Sequence, residues 1–333
     1  MLSEEHLLVK KTVYEIVEKV VRPRSREIDG GSYPRDILRF LGGQGLLAPT
    51  LPPEYGGASA DTLTQVLIIE ELARASPAVA TIAEIQGSMI AHNLYELGNK
   101  KQKEEILPKI ASGEYIAAFA LSEPCCGSDA AAIETTAVRR GGVWVITGTK
   151  LWITSGLYAD YFLLFARTGP REERHRTITA FLVKRNSCIE TTPIAVMGLG
   201  GSGTAEVKLN GCEVSDDDVV GEVNGGWRVA VNGINLGRLN VGALSLGIAE
   251  EAFAQAMDYA KRREAFGRKI ADFQIIQHYL AEMYIKTEAL RALVYTAAKM
   301  RDAGDPRFIP YAQAAKVFGS RTAVEVTRTA VQI

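Results

Sequence analysis

Ile116-Ala117-Ala118-Phe119-Ala120-Leu121 runs straight into Ser122-Glu123-Pro124-Cys125-Cys126-Gly127-Ser128-Asp129, and downstream of it stands Lys150-Leu151-Trp152-Ile153-Thr154-Ser155-Gly156. The first stretch is an apolar strand leaving into a turn rich in hydroxyls; the second sets a planar indole beside a hydroxyl. Together they offer donors and acceptors for the edge of a flat heteroaromatic ring and a surface for its face. Around Tyr115 the apolar period changes, and residues to about Gly225 alternate in short β-branched and aromatic runs separated by glycine turns, which marks a β domain. Thr135 to Arg139 and Val143 to Thr147, joined across Arg140-Gly141-Gly142, read as a hairpin. Tyr161 to Arg167, Thr177 to Lys184 and Ala205 to Leu209 read as further strands. No helical crossovers separate them, so a parallel dinucleotide-binding sheet is not expected.

Both flanks are helical. Ser3 before Glu4 and Glu5 reads as a helix N-terminus, and Leu7, Val13, Ile16, Val17, Val20 and Val21 keep mainly three and four spacing. Tyr33-Pro34 opens a helix that closes near Gly42-Gly43, and Leu63 to Ala75 and Ile82 to Leu97 supply two more. Leu51 to Gly57 is a loop by composition. From Gly226 the helical period returns, and no proline occurs from Ile194 through Asp305, which leaves room for long helices. Phe273, Ile276, Leu280, Met283, Leu290, Val294 and Ala297 form one stripe, with Asp272 as its expected cap and Gly304 as its stop. The fold expected is α+β and multidomain: an N-terminal α-helical domain (1–114), a central β-barrel-like or sandwich domain (115–225) and a C-terminal helix bundle (226–333).

The chain has 333 residues, 47% hydrophobic and 23% charged, with a formal net charge of −1. That composition is globular, and near-neutrality gives no electrostatic reason to expect nucleic acid or an anionic membrane surface as partner. No run approaches the roughly 18 apolar residues of a spanning helix, and the start lacks a secretory pattern, so the expected location is cytoplasmic. The cysteines Cys125, Cys126, Cys188 and Cys212 have no paired spacing and read as free thiols. The histidines His6, His92, His175 and His278 are scattered, so no metal site is expected.

At the two opening stretches the chain resembles the acyl-CoA dehydrogenase family, whose first signature is a Leu-Ser/Thr-Glu-Pro run ending in Gly-Ser-Asp, followed by a Trp-Ile-Thr strand. The resemblance extends over nearly all of the chain and implies FAD as cofactor. It implies that Leu121 and Ser122 hydrogen-bond the flavin, that Gly127 and Ser128 lie near its pyrophosphate with Ser128 also near substrate, and that Trp152 and Thr154 pack along the ring. Cys126 stands where the family usually has a smaller residue. Arg238 matches an arginine that opens the first long bundle helix and reaches the CoA portion of the substrate; read without the resemblance, it is a solvated charge at a helix start. Arg263 to Arg268, with Phe266, and Gln274 beyond, resemble a segment that contacts the FAD of a neighbouring subunit, as does Gln332, which implies a homodimer or homotetramer. Glu84 to Tyr95 and the bundle would set the depth of the acyl pocket. Gly198-Leu199-Gly200-Gly201-Ser202-Gly203 satisfies a dinucleotide-binding string, but a strand follows it where that fingerprint needs a helix.

The activity implied is FAD-dependent α,β-dehydrogenation of an acyl-CoA thioester, with electrons passed to an electron-transferring flavoprotein. Alternatives are a flavin oxidase or monooxygenase on the same fold, or a non-catalytic FAD or acyl-CoA binder. The family's base is a glutamate, either immediately before the arginine matched by Arg238, where this chain has Gly237, or in a loop near the C-terminus. Val331-Gln332-Ile333 resembles the entrance to the second family signature. The chain therefore reads as truncated, with its base expected beyond Ile333, poor turnover, and the Phe273 to Ala297 stripe partly uncovered.

Overall fold

The change of period near Tyr115 is a change of secondary structure in the computed structural model, which describes residues 2–333. Helices come first: α1 (Glu4–Ile16), α2 (Ser25–Asp29), α3 (Arg35–Gly43), α4 (Thr62–Ala75), α5 (Pro77–Glu84), α6 (His92–Leu97) and α7 (Leu107–Ala111). Strands β1 (Ala117–Ala120), β2 (Thr136–Arg140), β3 (Val143–Ile153), β4 (Tyr161–Arg167), β5 (Ile178–Lys184), β6 (Ile189–Pro193), β7 (Ala205–Val214) and β8 (Val219–Val220) follow. Then come α8 (Gly226–Arg262), the short hairpin β9 (Glu264–Ala265) and β10 (Arg268–Lys269), α9 (Gln274–Asp302) and α10 (Phe308–Gln332). Among the described residues no helix is long and apolar enough to cross a membrane.

Two compact units result. One holds the residues up to Ser25, Asp61–Thr81 and Gly237–Ile333; the other holds Arg26–Ala60 and Ile82–Leu236.

In the first unit, Ser3 caps α1 as its sequence requires: its hydroxyl accepts from the His6 N–H while the His6 ring bonds back to the Ser3 N–H. Asp61 caps α4 through the Thr64 N–H. The bundle helices meet at glycines, where a Cβ on Gly242 would touch Ala315 and Val294 and one on Gly319 would touch Ser245 and Leu290. The α9 stripe is buried at Leu280, Met283, Leu290, Val294 and Ala297 and half-buried at Phe273 and Ile276, so the part left uncovered lies at the start of the helix. Asp272 is not its cap. It ends a short 3₁₀ turn, and the helix begins after Phe273 without a side-chain cap, because the chain enters from the β10 hairpin. Gly304, at φ +65°, closes α9 as expected.

The second unit is organised by one sheet of order β6-β7-β3-β2-β4-β5-β8, with β1 parallel to β4. Adjacent positions of β4 serve different cores. Leu163 and Phe165 pack with helical residues such as Leu94, Leu107 and Ile110, while Phe162 and Leu164 pack with Trp144, Ile146, Phe181, Val207 and Leu209 from other strands. A strand buried on both faces must be apolar throughout, as Tyr161-Phe162-Leu163-Leu164-Phe165-Ala166 is. The expected hairpin forms, with Arg140 opposite Val143 and Gly141 and Gly142 at φ +58° and +89°, the backbone a tight turn between twisted strands demands. The Gly198–Gly203 string holds a single 3₁₀ turn at Gly200–Ser202 and leads into β7, with no α-helix after it.

The cysteines depart from expectation. Cys125 and Cys126 are bonded to each other, and Cys188 to Cys212 with their Cα atoms 5.3 Å apart. The second pair is a product of strand pairing, since the Asn210 N–H bonds the Cys188 carbonyl at the open end of the β6–β7 hairpin. No local spacing announces it.

Helix α3 meets the end of α7 at Gly42, where a Cβ would lie 2.2 Å from the Ser112 carbonyl carbon and oxygen. Backbone cannot retreat as a flexible side chain does. Gly42→Ala is therefore expected to lower stability by about 3 kcal/mol. Gly43→Ala, with nothing within 4 Å of its Cβ, serves as control. Urea midpoints for the two variants that agree would refute this account of the contact.

Candidate functional site

The turn after β1 is built by its own backbone. Glu123 and Cys126 exchange reciprocal N–H to carbonyl bonds of 3.1 Å across Pro124 and Cys125. Glu123 then points inward. Its carboxylate accepts from Lys150 Nζ at 2.7 Å, from the Thr135 N–H at 3.0 Å and from the Glu134 N–H at 2.5 Å. Lys150 has no exposed surface, and its Nζ also donates to the Leu121 carbonyl at 3.1 Å. Burial pushes the ammonium down to about 8 against the pull of Glu123, so it stays protonated at neutral pH. Burial likewise opposes the carboxylate, yet the Lys150 charge and the hydrogen bonds hold Glu123 below the ordinary range. The pair is ionised.

Trp152 sits on a bulge. Lys150 pairs with Val207 and Ile153 with Ala205, so two β3 residues stand opposite one β7 residue. The extra residue frees the Leu151 N–H to bond the Ser122 carbonyl at 2.9 Å, and it places Trp152 at φ +62° with 59% of its surface exposed while Ile153 returns to the core. An exposed indole in left-handed backbone is an expensive arrangement for packing alone.

Beyond the turn, Arg167 fastens the loop. Its guanidinium donates to the Ala131 and Ile133 carbonyls at 2.9 and 3.1 Å, and Arg174 reaches the Asp129 carboxylate at 2.5 Å. Gly127 and Ser128 are left exposed, with open space where a Gly127 Cβ would stand. Ser122 and Thr154 are partly exposed, and neither hydroxyl has a hydrogen-bond partner among the described residues. Unspent hydroxyls, an exposed indole and an open glycine on one rigid scaffold fit the edge and face of a flavin. The structure thus brings Leu121, Ser122, Trp152 and Thr154 onto joined segments, with Gly127 and Ser128 on the loop that continues from them.

The remaining sequence-derived residues lie in the other unit or at its start. Arg263, Phe266 and Gln274 gather about the β9–β10 hairpin, whose tip carries Phe266 at 96% exposure beside Gly267. The Arg268 guanidinium stands 4.1 Å from the Phe273 ring centre. Gln332, at the end of α10, shares a cleft of about 770 Å³ with Tyr259 and Arg262. Arg238 is half-buried and does not open a helix, correcting that expectation: α8 begins at Gly226, in a stretch without proline, so Arg238 is well inside it. Gly237 beside it offers no carboxylate.

Three residues have no individual role legible in the sequence. Lys150 and Arg167 are buried cations on strands, where charge normally marks an outward position. Glu84, the last residue of α5, is 4% exposed with its Oε2 unpartnered. Burial pushes its carboxyl up to about 8, so it is neutral at pH 7. After it the helix widens into a π turn over Ile85–Ala91, where Gln86 bonds the Ala117 backbone and Asn93 Nδ2 donates to the Met89 and Val229 carbonyls. The interruption of a regular period is the only sequence signal such a turn leaves.

Three family models match in order: the acyl-CoA dehydrogenase N-terminal domain over 3–114, its middle domain over 118–212 and its C-terminal domain over 224–333. An acyl-CoA dehydrogenase of Bacillus subtilis is 37% identical over 100% of this chain and 88% of its own length. Among solved structures, butyryl-CoA dehydrogenase from Megasphaera elsdenii superposes with a TM-score of 0.95 at 32% identity, covering 100% of this chain and 88% of that one. A chain reported under "Electron transferring flavoprotein of Acidaminococcus fermentans" superposes at 0.96 with 36% identity and the same coverages. The chain belongs to the acyl-CoA dehydrogenase family. It is an oxidoreductase of the class acting on CH–CH bonds. The expectation of truncation is not borne out by the matches: the C-terminal domain's model is matched over 224–333, and the chain covers 88% of the length of the Bacillus subtilis relative.

Proposed function

We propose that this chain binds FAD and dehydrogenates an acyl-CoA thioester between its α and β carbons, passing the electrons to an electron-transferring flavoprotein. The observation that carries the reading is the wall formed by Leu121, Ser122, Trp152 and Thr154, with its hydroxyls unspent and its indole exposed. Bound there, FAD supplies the acceptor for the hydride that leaves the β carbon. The residues do the positioning. Ser122 and Thr154 donate to or accept from the ring edge, Trp152 lies along the ring, Gly127 lets the backbone approach, and Ser128 serves the pyrophosphate and the substrate. Arg238 holds the CoA portion, for which a fixed guanidinium suits phosphate or carbonyl oxygens. Arg263, Phe266, Gln274 and Gln332 reach the cofactor of a second copy, so the working form is a homodimer or homotetramer. No side chain is assigned as the base for the α proton. The domains are read as 1–114, 115–225 and 226–333, consistent with the three matched regions. Similarity to butyryl-CoA dehydrogenase and to the Acidaminococcus chain supports the substrate class and the acceptor.

The test is the visible absorption spectrum of the purified protein followed by anaerobic addition of a panel of acyl-CoA esters. A yellow protein that bleaches with one ester is expected. A folded protein that takes up no FAD after reconstitution would refute the reading, and reduced flavin that consumes oxygen rapidly would favour an oxidase.

A further inference from the structure

The two segments that make the wall are remote in the chain, and one buried ion pair joins them. Lys150 Nζ reaches the Leu121 carbonyl and the Glu123 carboxylate, while the next residue's N–H bonds the Ser122 carbonyl. The remaining Glu123 bonds go to the backbone at Glu134 and Thr135, where β2 begins. Lys150 therefore stands where the turn and two strands meet, two residues before Trp152.

Stability does not call for an ion pair at this point. Two well-packed apolar side chains of similar volume commonly hold a core as well or better, because burying both charges sacrifices their hydration. What a charged pair adds is intolerance of slippage. Methionine and leucine would accept a shifted loop, whereas an ammonium drawn away from its carboxylate and carbonyl is stranded in a core without water. Lys150 and Glu123 thus fix the distance between the Ser122 edge and the bulge that carries Trp152.

We propose that Lys150 and Glu123 are a positioning pair for the cofactor, setting the separation of the Leu121–Ser122 edge and the Trp152 indole to the width of a flavin ring. The inference rests on the FAD reading above. The pair touches neither cofactor nor substrate and acts through the backbone on which the contacting groups stand.

The test uses the full chain, reconstituted with FAD, as wild type, Lys150→Met, and the double variant Lys150→Met with Glu123→Gln, which strands no charge and keeps an acceptor for the Glu134 and Thr135 N–H groups. Thermal midpoint, FAD dissociation constant and the visible circular dichroism of bound flavin are read for each. The single variant is expected to lose stability and bind FAD about tenfold more weakly, the effect of losing one well-placed interaction. The double variant is expected to regain most of the thermal midpoint but neither the affinity nor the dichroism band, a split that a merely structural role would not give. A double variant with wild-type affinity and an unchanged band would overturn the proposal, and so would one that fails to fold, since the pair would then serve the fold alone. If the folded wild type takes up no FAD, the cofactor reading has failed, and that result is distinct from either of these.

Discussion

Replacing Arg291 by leucine should destabilise the helical unit by about 3–5 kcal/mol, the usual consequence of removing one partner from a buried charge cluster. The Arg291 guanidinium, on α9, bonds Glu70 of α4 at 2.7 Å, Glu288 at 3.1 Å and Glu250 of α8 at close range. Lys10 of α1 bonds the same Glu70 at 2.6 Å, and Tyr295 donates to it at 2.7 Å. Three helices thus meet on one carboxylate that has no exposed surface, and α8 joins them through the Glu250 bond to Arg291. Burial pushes the Glu70 carboxyl up, and it also opposes ionisation of Glu250, which Lys10 and Arg291 nevertheless hold below the ordinary range. Without Arg291, Glu250 loses its hydrogen-bonded cation, and Lys10 and Arg74 are left to offset the buried carboxylates. Urea unfolding should show a lower midpoint with an unchanged slope. Adding Glu70→Gln should return part of the loss, because the two residues share one network. A single-variant loss below about 1 kcal/mol would mean that the cluster is solvated like a surface pair.

Glu84→Gln should change the pH dependence of stability more than stability itself. The native carboxyl titrates at about 8 and the unfolded one near 4.5, so between those values the native state holds a proton that the unfolded state has released. The unfolded state then binds fewer protons, and unfolding free energy falls as pH rises through that window. Over its full width the term amounts to several kcal/mol. Glutamine has the same shape and no proton to lose. The variant should match the wild type near pH 5 and exceed it near pH 8. Glu70 and Glu71 are raised as well and contribute slope of the same sign, but both are present in the two proteins and cancel in the difference. Parallel stability profiles would show that Glu84 is hydrated in the folded protein.

The order of helices, strands and helices was legible because each element writes its period locally. Val143 and Thr147 alternate with a buried Trp144 and Ile146, and the Leu280 to Ala297 stripe keeps its spacing whatever covers it. The paired glycines at 141 and 142 likewise announce a turn only glycine adopts easily. Arg238 is legible as a residue but not as a helix opener: the helical period already returns at Gly226, and only the family resemblance places a helix start at the arginine. The Cys188–Cys212 disulfide is not legible in the sequence because the two residues are 24 positions apart and meet only once β6 pairs with β7.

The family and the element types rest on near neighbours and short motifs, and so are legible in the sequence itself. Only the tertiary structure decided which charges are internal and where the indole points. Lys150 meets Glu123 across 27 positions and Arg291 meets Glu70 across 221, and a bulge of one residue turns Trp152 outward. The desolvation of a charge, and the partner that offsets it, come from contacts that no local period records.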